Sequence, residues 1–512
     1  MTTVALHSTA GKWIMFSTIL ASSMAFIDAT ALNVVLPSLQ KNLGASSADL
    51  FWILNAYLLM LASFILIGGS LGDKLGRKKV FMAGIFIFIC GSVACGFAPG
   101  VTYLVVFRVI QGIGGAFMIP GSLSLISSSI NPIERGKAIG TWSAFTTVVT
   151  MGGPVLGGAL ADAGLWRYIF FINVPIGVAA LVMLWLKVNE SRDENSGKTI
   201  DFAGATAIAL GLASLTFGFL RIPAVGLHNW QVYASLITGI ALLSAFIIIE
   251  IKSKHPMMPL QLFAGATFTG ANLLTLFLYG GLGAGMLFLS LNLVQVQGYT
   301  QLQSGLTFLP FTVMMVFLAR YAGGLADKHG PRLLLIFGPA MTGVGLLVLS
   351  FVKQTGGPAD YWTTFFPGVI LFGLGMSFTV APLTTAVMSS VSDHFSGTAS
   401  GVNNAMTRIA GVFANAIFGA LAVLFFSGAL QHQLTGVDLT TKEKQEITAQ
   451  AINLGNAKVP KTISINTKPI VAKAYRESFI NAYGKIMRIS ALFGFLGALM
   501  AIIFIRNNAV KK

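Results

Sequence analysis

The sequence predicts an all-helical membrane protein that crosses a bilayer fourteen times. Three observations carry that prediction. Of the 512 residues, 55% are hydrophobic and 10% charged, against roughly 25% charged in an average soluble domain, so the chain cannot cover a water-facing surface. Apolar runs close to the ~20 residues that span a bilayer recur from Trp13 to Ile505, whereas a β-barrel would show short alternating segments. Finally, the lysines and arginines behind the net charge of +16 punctuate the ends of these runs. They form no single basic face, which argues against a nucleic-acid partner.

Each span has its own signature. The first, about 13–36, follows Lys12 as a signal peptide would, but it continues past Asp28 to Leu36, too long for such a leader, and reads as an uncleaved helix. Spans at about 50–71 and 79–98 flank the glycine-rich loop "GGSLGDKLGRKK" (68–79). A fourth, at 102–125, carries an arginine within the span, Arg108, and a fifth, at 137–160, ends in "GGPVLGGAL" (152–160). The sixth is 168–187, and two more, 201–220 and 230–251, precede a second series at 268–295, 303–325, 332–352, 361–386, 399–427 and 486–505. Between the last two lies a polar stretch, 428–485, that is no span.

Orientation follows from the basic residues. Placing the N-terminus in the cytoplasm puts 18 of the 33 lysines and arginines inside, while the short outer loops hold only Lys41, Arg167, Arg221 and Lys353. The long 428–488 region holds nine more, but long segments translocate largely regardless of charge. The expected setting is a bacterial inner membrane with both termini cytoplasmic.

The chain repeats itself. "GSLGDKLGRK" (69–78) returns as "GGLADKHGPR" (323–332), 254 residues later. Inserting the spans at 201–251 between two six-helix units absorbs most of that offset. The predicted domains are therefore a six-helix half at 13–187, a two-helix insert with linkers at 188–267, and a second six-helix half at 268–512 that includes the polar stretch. Paired repeats of this kind are typical of secondary transporters.

On these residues the chain resembles the major facilitator superfamily, in its fourteen-helix drug:proton antiporter branch. The loop 68–79 is similar to the family's motif between helices two and three, "FRVIQGIGGA" (107–116) to its fourth-helix motif, and 152–160 to its helix-five antiporter motif, with Val148 and Val149 where the family carries a further glycine. "IDATALNVVLP" (27–37) and "WRYIFFINVPIG" (166–177) are similar to segments of the fourteen-helix branch. The resemblance implies the major facilitator fold, proton-coupled export by alternating access, and a conformational latch. In the latch, Gly69, Gly72 and Gly76 permit a tight turn, Asp73, Arg77 and Lys78 supply charge, and Asp327 and Arg332 supply the repeat's counterparts. In the fifth helix, Gly153, Gly157 and Gly158 allow close backbone packing around Pro154.

The candidate chemistry centres on Asp28. A carboxylate at mid-membrane depth costs at least ~2.5 kcal/mol on insertion scales and is by default a functional residue. Asp28 lies eight residues from Leu36 and Arg108 seven from Val101, which at ~1.5 Å per residue places them ~12 Å and ~10 Å deep. The matched depths predict a proton-dependent pair, a permanent structural salt bridge being the alternative. Asn404, Arg408, Gly411 and Asn415 follow i, i+4, i+7, i+11 spacing and share a stripe. Met24, Asn55, Met118, Tyr279, Asn404 and Arg408 are the expected cavity wall. One deep acid against two deep arginines predicts neutral, zwitterionic or weakly anionic amphipaths as substrates, rather than dications.

No enzyme or metal site is expected. The six histidines lie in loops, tails or helix ends without a second ligand at helical spacing, Cys90 and Cys95 sit in one apolar run, and no P-loop is present. No cofactor is expected beyond the proton gradient as energy source. The expected partners are small amphipathic molecules, protons and membrane lipids, with a periplasmic adaptor docked on 428–485 as one use of that segment's two amphipathic stretches, 440–452 and 468–487. A dedicated exporter of one metabolite, lipid or siderophore-like anion, and a transport-dead receptor or scaffold, are the competing readings.

Overall fold

A computed structural model describes residues 3–191, 201–253, 256, 258–391 and 396–506. In chain order its α-helices are α1 Thr9–Leu43, α2 Ser47–Leu75, α3 Arg77–Phe97, α4 Val101–Ser129, α5 Pro132–Asp162, α6 Tyr168–Phe171, α7 Asn173–Lys187, α8 Phe202–Val225, α9 Trp230–Lys252, α10 Ala266–Gln295, α11 Gln301–Leu306, α12 Leu309–His329, α13 Arg332–Leu349, α14 Tyr361–Thr364, α15 Phe366–Ser389, α16 Ser396–Gln433, α17 Thr441–Ala449 and α18 Lys468–Phe504. Among the described residues, thirteen stretches are long and apolar enough to cross a membrane, and α5 adds a shorter apolar one, Val148–Asp162. With α6–α7, α11–α12 and α14–α15 each read as one broken crossing, the spans number fourteen. All-helical construction is what a bilayer requires, since a helix satisfies its backbone polar groups internally.

Helix ends are set by local chemistry. α1 starts at Ser8, whose hydroxyl accepts from Gly11 N, and stops at Gly44, which takes φ 63°. Ser46 and Asp49 form a reciprocal capping box at the start of α2. Tight turns thus make successive helices antiparallel, and with fourteen spans the start of α1 and the end of α18 lie on the same side of the bundle. We call this the terminal end and the opposite one the far end.

The repeat seen in sequence is a repeat of packing. α4 contacts α2 and α3 as α15 contacts α12 and α13. Likewise α1 packs on α5 and α7, and α10 on α16 and α18. Two symmetric seams join these groups: α2 against α16, and α5 against α11 with the start of α12. The pair α8–α9 lies over the first seam, where Ile208 and Leu212 pack with Leu59 and Ala62 of α2 and Val412 of α16.

Two boundaries differ from expectation. α16 continues to Gln433 and α18 begins at Lys468, so the stretch 468–487 is no separate amphipathic helix but the first half of the last long helix. Hydropathy reads only the part of a helix inside the bilayer, so polar turns that project beyond it look like loop. Between them, α17 and the 3-10 helix Gln450–Asn456 fold over the far end. Ile447 and Leu454 are buried there, Tyr475 Oη donates to Ile447 O at 3.0 Å, and Asn456 Nδ2 donates to Gln40 Oε1 at 2.7 Å.

Candidate functional site

Asp28 on α1 and Arg108 on α4 meet. Arg108 Nη1 donates to Asp28 Oδ2 at 2.5 Å, and the two side chains are 1% and 0% exposed. Gln111, one turn after Arg108, completes a triangle: its Nε2 donates to Asp28 Oδ1 at 2.9 Å while its Oε1 accepts from Arg108 Nη1 at 2.7 Å. Around them, Arg108 Nε donates to Ile53 O at 3.3 Å and its guanidinium lies 4.3 Å from the centre of the Tyr57 ring. From Gln111 Nε2 the chain of hydrogen bonds runs to Ser92 Oγ at 3.2 Å, which also accepts from Asn173 Nδ2 at 2.9 Å.

This arrangement fits a group that changes charge. With Asp28 ionised, its two oxygens are bonded and the guanidinium is paired. With Asp28 protonated, Arg108 keeps Gln111 Oε1, Ile53 O and the Tyr57 face, so neutralising the acid does not orphan the base. An unpartnered buried cation would otherwise make protonation prohibitive.

Charge alone identified Asp28 and Arg108. Gln111, Ser92, Asn173 and Tyr57 carry no charge, and their only signal in sequence was position: Gln111 three residues from Arg108, Asn173 inside the 166–177 segment.

The residues expected to form a cavity wall differ in burial. Met24 and Met118 are wholly buried, Met24 Sδ lying close to Gly177 of α7. In uniformly apolar helices, sequence does not say which apolar face looks inward. Arg408 is half-buried, its guanidinium 5.7 Å from the Phe26 ring of the opposite half and within electrostatic reach of Tyr57 and Tyr279. Tyr279 and Asn404 are likewise half-buried. It is Asn403 that ties α16 to α10, donating to Thr275 Oγ1 at 2.7 Å and Asn272 Oδ1 at 3.2 Å. Asn55 is fully buried, and neither amide atom meets a hydrogen-bond partner among the described residues.

At the terminal end, Gly76 takes φ 114°, a conformation that favours glycine. A Cβ there would also stand 2.7 Å from the Glu190 carboxyl carbon. Glu190 is the acid that sequence reading overlooked. Its two oxygens accept from Lys78 N at 2.9 Å and Lys79 N at 3.1 Å, capping α3, while Arg77 N donates to Ser191 O at 2.8 Å. Lys78 Nζ reaches Trp185 O at 3.3 Å. Gly69 approaches Pro120 and Gly72 approaches Arg77. Arg332 donates to Ile502 O at 3.1 Å. The side chains of Asp73 and Asp327 lie outside the described residues.

At the far end, the fifth-helix glycines serve two neighbours. Gly153 lies against Thr30 and Gly157 against Ala31 of α1, whereas Gly158 lies against Gln301 of α11, and Gly305 against the carbonyl of Pro154. Asp162 fastens the same seam, its oxygens accepting from Gln301 N and Leu302 N at 2.8 Å each. At the far end the two halves are therefore in direct contact.

The sequence pattern of the Major Facilitator Superfamily matches residues 18–415. The chain belongs to that superfamily. Among its relatives are the tetracenomycin C resistance and export protein of Streptomyces glaucescens, 28% identical over 94% of this chain and 89% of that one, and the multidrug resistance protein Stp of Mycobacterium tuberculosis, strain CDC 1551 / Oshkosh, 31% identical over 82% and 77%. The multidrug resistance protein 3 of Bacillus subtilis is 28% identical over 85% and 84%. In fold, the chain is similar to a bacterial homologue of the human lysosomal transporter Spinster in an inward-facing conformation, with TM-score 0.67, 18% identity, and 97% and 98% of the two chains covered. It is thus a multi-pass membrane protein with the major facilitator fold.

Proposed function

We propose that this chain is a proton-coupled exporter of amphipathic small molecules, working by alternating access in a bacterial plasma membrane with the terminal end cytoplasmic. The observation that supports it most is the sealed Asp28–Arg108–Gln111 triangle, which accommodates both charge states of Asp28. Relatives whose names record multidrug resistance and export point to the same activity. The basic residues near the terminal end agree with a cytoplasmic placement.

In the working cycle the conformer described here, closed at the far end, receives substrate from the terminal side. Reorientation exposes Asp28 to the far side, where a proton enters as substrate leaves. The proton gradient is the energy source, and no cofactor is needed. The 428–485 stretch caps the far end with its own apolar residues Ile447 and Leu454. That use leaves a docked adaptor without those side chains to bind.

The test is uphill transport in liposomes under an imposed ΔpH, following ethidium or a neutral dye. Asp28→Asn is expected to abolish uphill transport while retaining substrate binding; unchanged transport would make the pair purely structural. Resistance profiling separates multidrug export, protecting against many unrelated compounds, from dedicated export of one metabolite, which the name of the tetracenomycin C relative brings forward.

A further inference from the structure

The last helix carries a lipid-facing stripe that ends in two cations. Residues 485, 488, 492, 495, 499 and 502 recur at alternating intervals of three and four, so they share one face of α18. That face is open along its length: Leu492 is 53% exposed, Leu499 43% and Ile502 46%, and Lys485 and Arg488 are exposed as well. Other faces of α18 pack on α10, α13 and α16, so this stripe is the surface the helix turns to the bilayer.

Depth places the cations at the far-end boundary of that bilayer. Counted from Phe504, the last residue of α18, Arg488 stands ~24 Å and Lys485 ~28 Å along the axis at ~1.5 Å per residue. The hydrocarbon core is ~30 Å thick. Helical side chains tilt toward the helix N-terminus, which here is the far end, and long cations extend their heads to the interface. Both charges therefore reach the level of lipid phosphates.

Other arginines at this end already have protein acceptors. Arg167 donates to Gly96 O at 3.1 Å and Ala98 O at 2.9 Å, and Arg221 to Gln231 Oε1 at 2.7 Å. Among the described residues, Lys485 and Arg488 meet neither a hydrogen-bond acceptor nor an acid. Their contacts are aromatic: Lys485 Nζ lies 5.2 Å from the centre of the Phe425 ring on α16, and the Arg488 guanidinium 5.4 Å from that of Phe351, just past α13. Helix positions three apart stand about 5–6 Å from each other at Cβ, so one phosphate between them can accept from both. Two adjacent cations without an acid, continued by an apolar stripe, match a molecule with an anionic head and aliphatic tails.

We propose that Lys485 and Arg488 bind the phosphate of an anionic phospholipid in the far-end leaflet, with an acyl chain lying along Leu492, Phe495 and Leu499. Two cations against one phosphodiester select a head group that brings no ammonium of its own. The site therefore prefers phosphatidylglycerol to phosphatidylcholine. It rests on the chain being a membrane protein and is independent of what the chain transports.

Native mass spectrometry of the full-length protein in detergent, titrated with phosphatidylglycerol, reads the dissociation constant of the first bound lipid. Lys485→Gln combined with Arg488→Gln should weaken it about thirty-fold, at about 1 kcal/mol for each cation. Lys473→Gln combined with Arg476→Gln removes the same charge about three turns nearer the start of α18, and should leave the constant within two-fold of the parent. Equal losses in both pairs would reduce the effect to long-range attraction and overturn the site. An unchanged constant in the first pair, or phosphatidylcholine bound as tightly as phosphatidylglycerol, would overturn it too. Glycerophosphoglycerol, the head group without chains, should fail to displace the lipid; displacement at equal concentration would refute the role given to the stripe. Arg488→Lys guards against a folding defect in the glutamine variants. It keeps the charge and should bind within three-fold of the parent, whereas a thirty-fold loss would show that charge is not what holds the lipid.

Discussion

An ion pair sealed from water contributes little net stability, because desolvation offsets most of the attraction, but removing one partner leaves a buried charge uncompensated. Asp28 and Arg108 therefore make a thermodynamic prediction separate from transport. Arg108→Leu leaves Asp28 with Gln111 alone and should destabilise the protein by about 3–5 kcal/mol. Adding Asp28→Asn should restore most of that loss, because the remaining pocket then holds no charge. Thermal unfolding in detergent of the parent, both single variants and the double variant measures this; a double variant as unstable as Arg108→Leu would show that shape, rather than charge, is what Arg108 supplies. Asp28 and Arg108 were legible in the sequence because charge is rare in apolar runs and depth can be counted along a helix. Gln111 was not, since a neutral amide in a membrane helix looks like packing until its neighbours are known.

At the scale of elements, glycines divide by what they touch. Gly157 stands against Ala31 within one half, where a Cβ would lie 2.6 Å from the Ala31 carbonyl oxygen, so Gly157→Val should strain the α1–α5 packing and lower stability. Gly158 stands against Gln301 of the opposite half. Gly158→Val should leave each half folded but prevent closure of the far end, lengthening the distance between spin labels at Asn42→Cys and Gln303→Cys and cutting transport at least ten-fold. Equal distances in parent and variant would count against that seam as a closing contact. Glu190 makes a complementary case. As a carboxylate bridging Lys78 N and Lys79 N it caps α3, and losing a cap costs about 1 kcal/mol. Glu190→Ala should speed hydrogen exchange at residues 77–80 several-fold without altering exchange in the Asp28 region. The glycine spacing of the 68–79 loop and the tight turn it permits were visible in sequence, but the carboxylate that meets that turn was not. Glu190 lies in a polar linker more than a hundred residues away, where no periodicity marks it. The long α18 was misread for the opposite cause, because its first turns leave the bilayer and lose their hydrophobic signal.

For the whole molecule, the proposed export function predicts that the balance of buried charge sets which substrates are favoured. Between the two seams stand one acid, Asp28, and two arginines, Arg108 and Arg408; another buried acid, Glu250, sits at the end of α9, its Oε2 accepting from Met258 N at 3.0 Å. The mid-depth charge is therefore about +1 with Asp28 ionised and +2 with it protonated. On the proposed function, a dication passing between the halves would meet repulsion in either state, because in a low-dielectric interior like charges a few ångströms apart repel strongly. Neutral, zwitterionic and weakly anionic amphipaths meet no such barrier, and the aromatic faces of Phe26, Tyr57 and Tyr279 near the two arginines suit flat apolar bodies. Competition against transport of a neutral dye should rank neutral and zwitterionic compounds at least ten-fold above a bis-biguanide of similar size. Arg408→Gln should narrow that gap, because it removes the cation that has no acid beside it in the sealed triangle. Strong export of the bis-biguanide that depends on Asp28 would refute the charge argument. It would mean that a dication reaches Asp28 by displacing Arg108 from it.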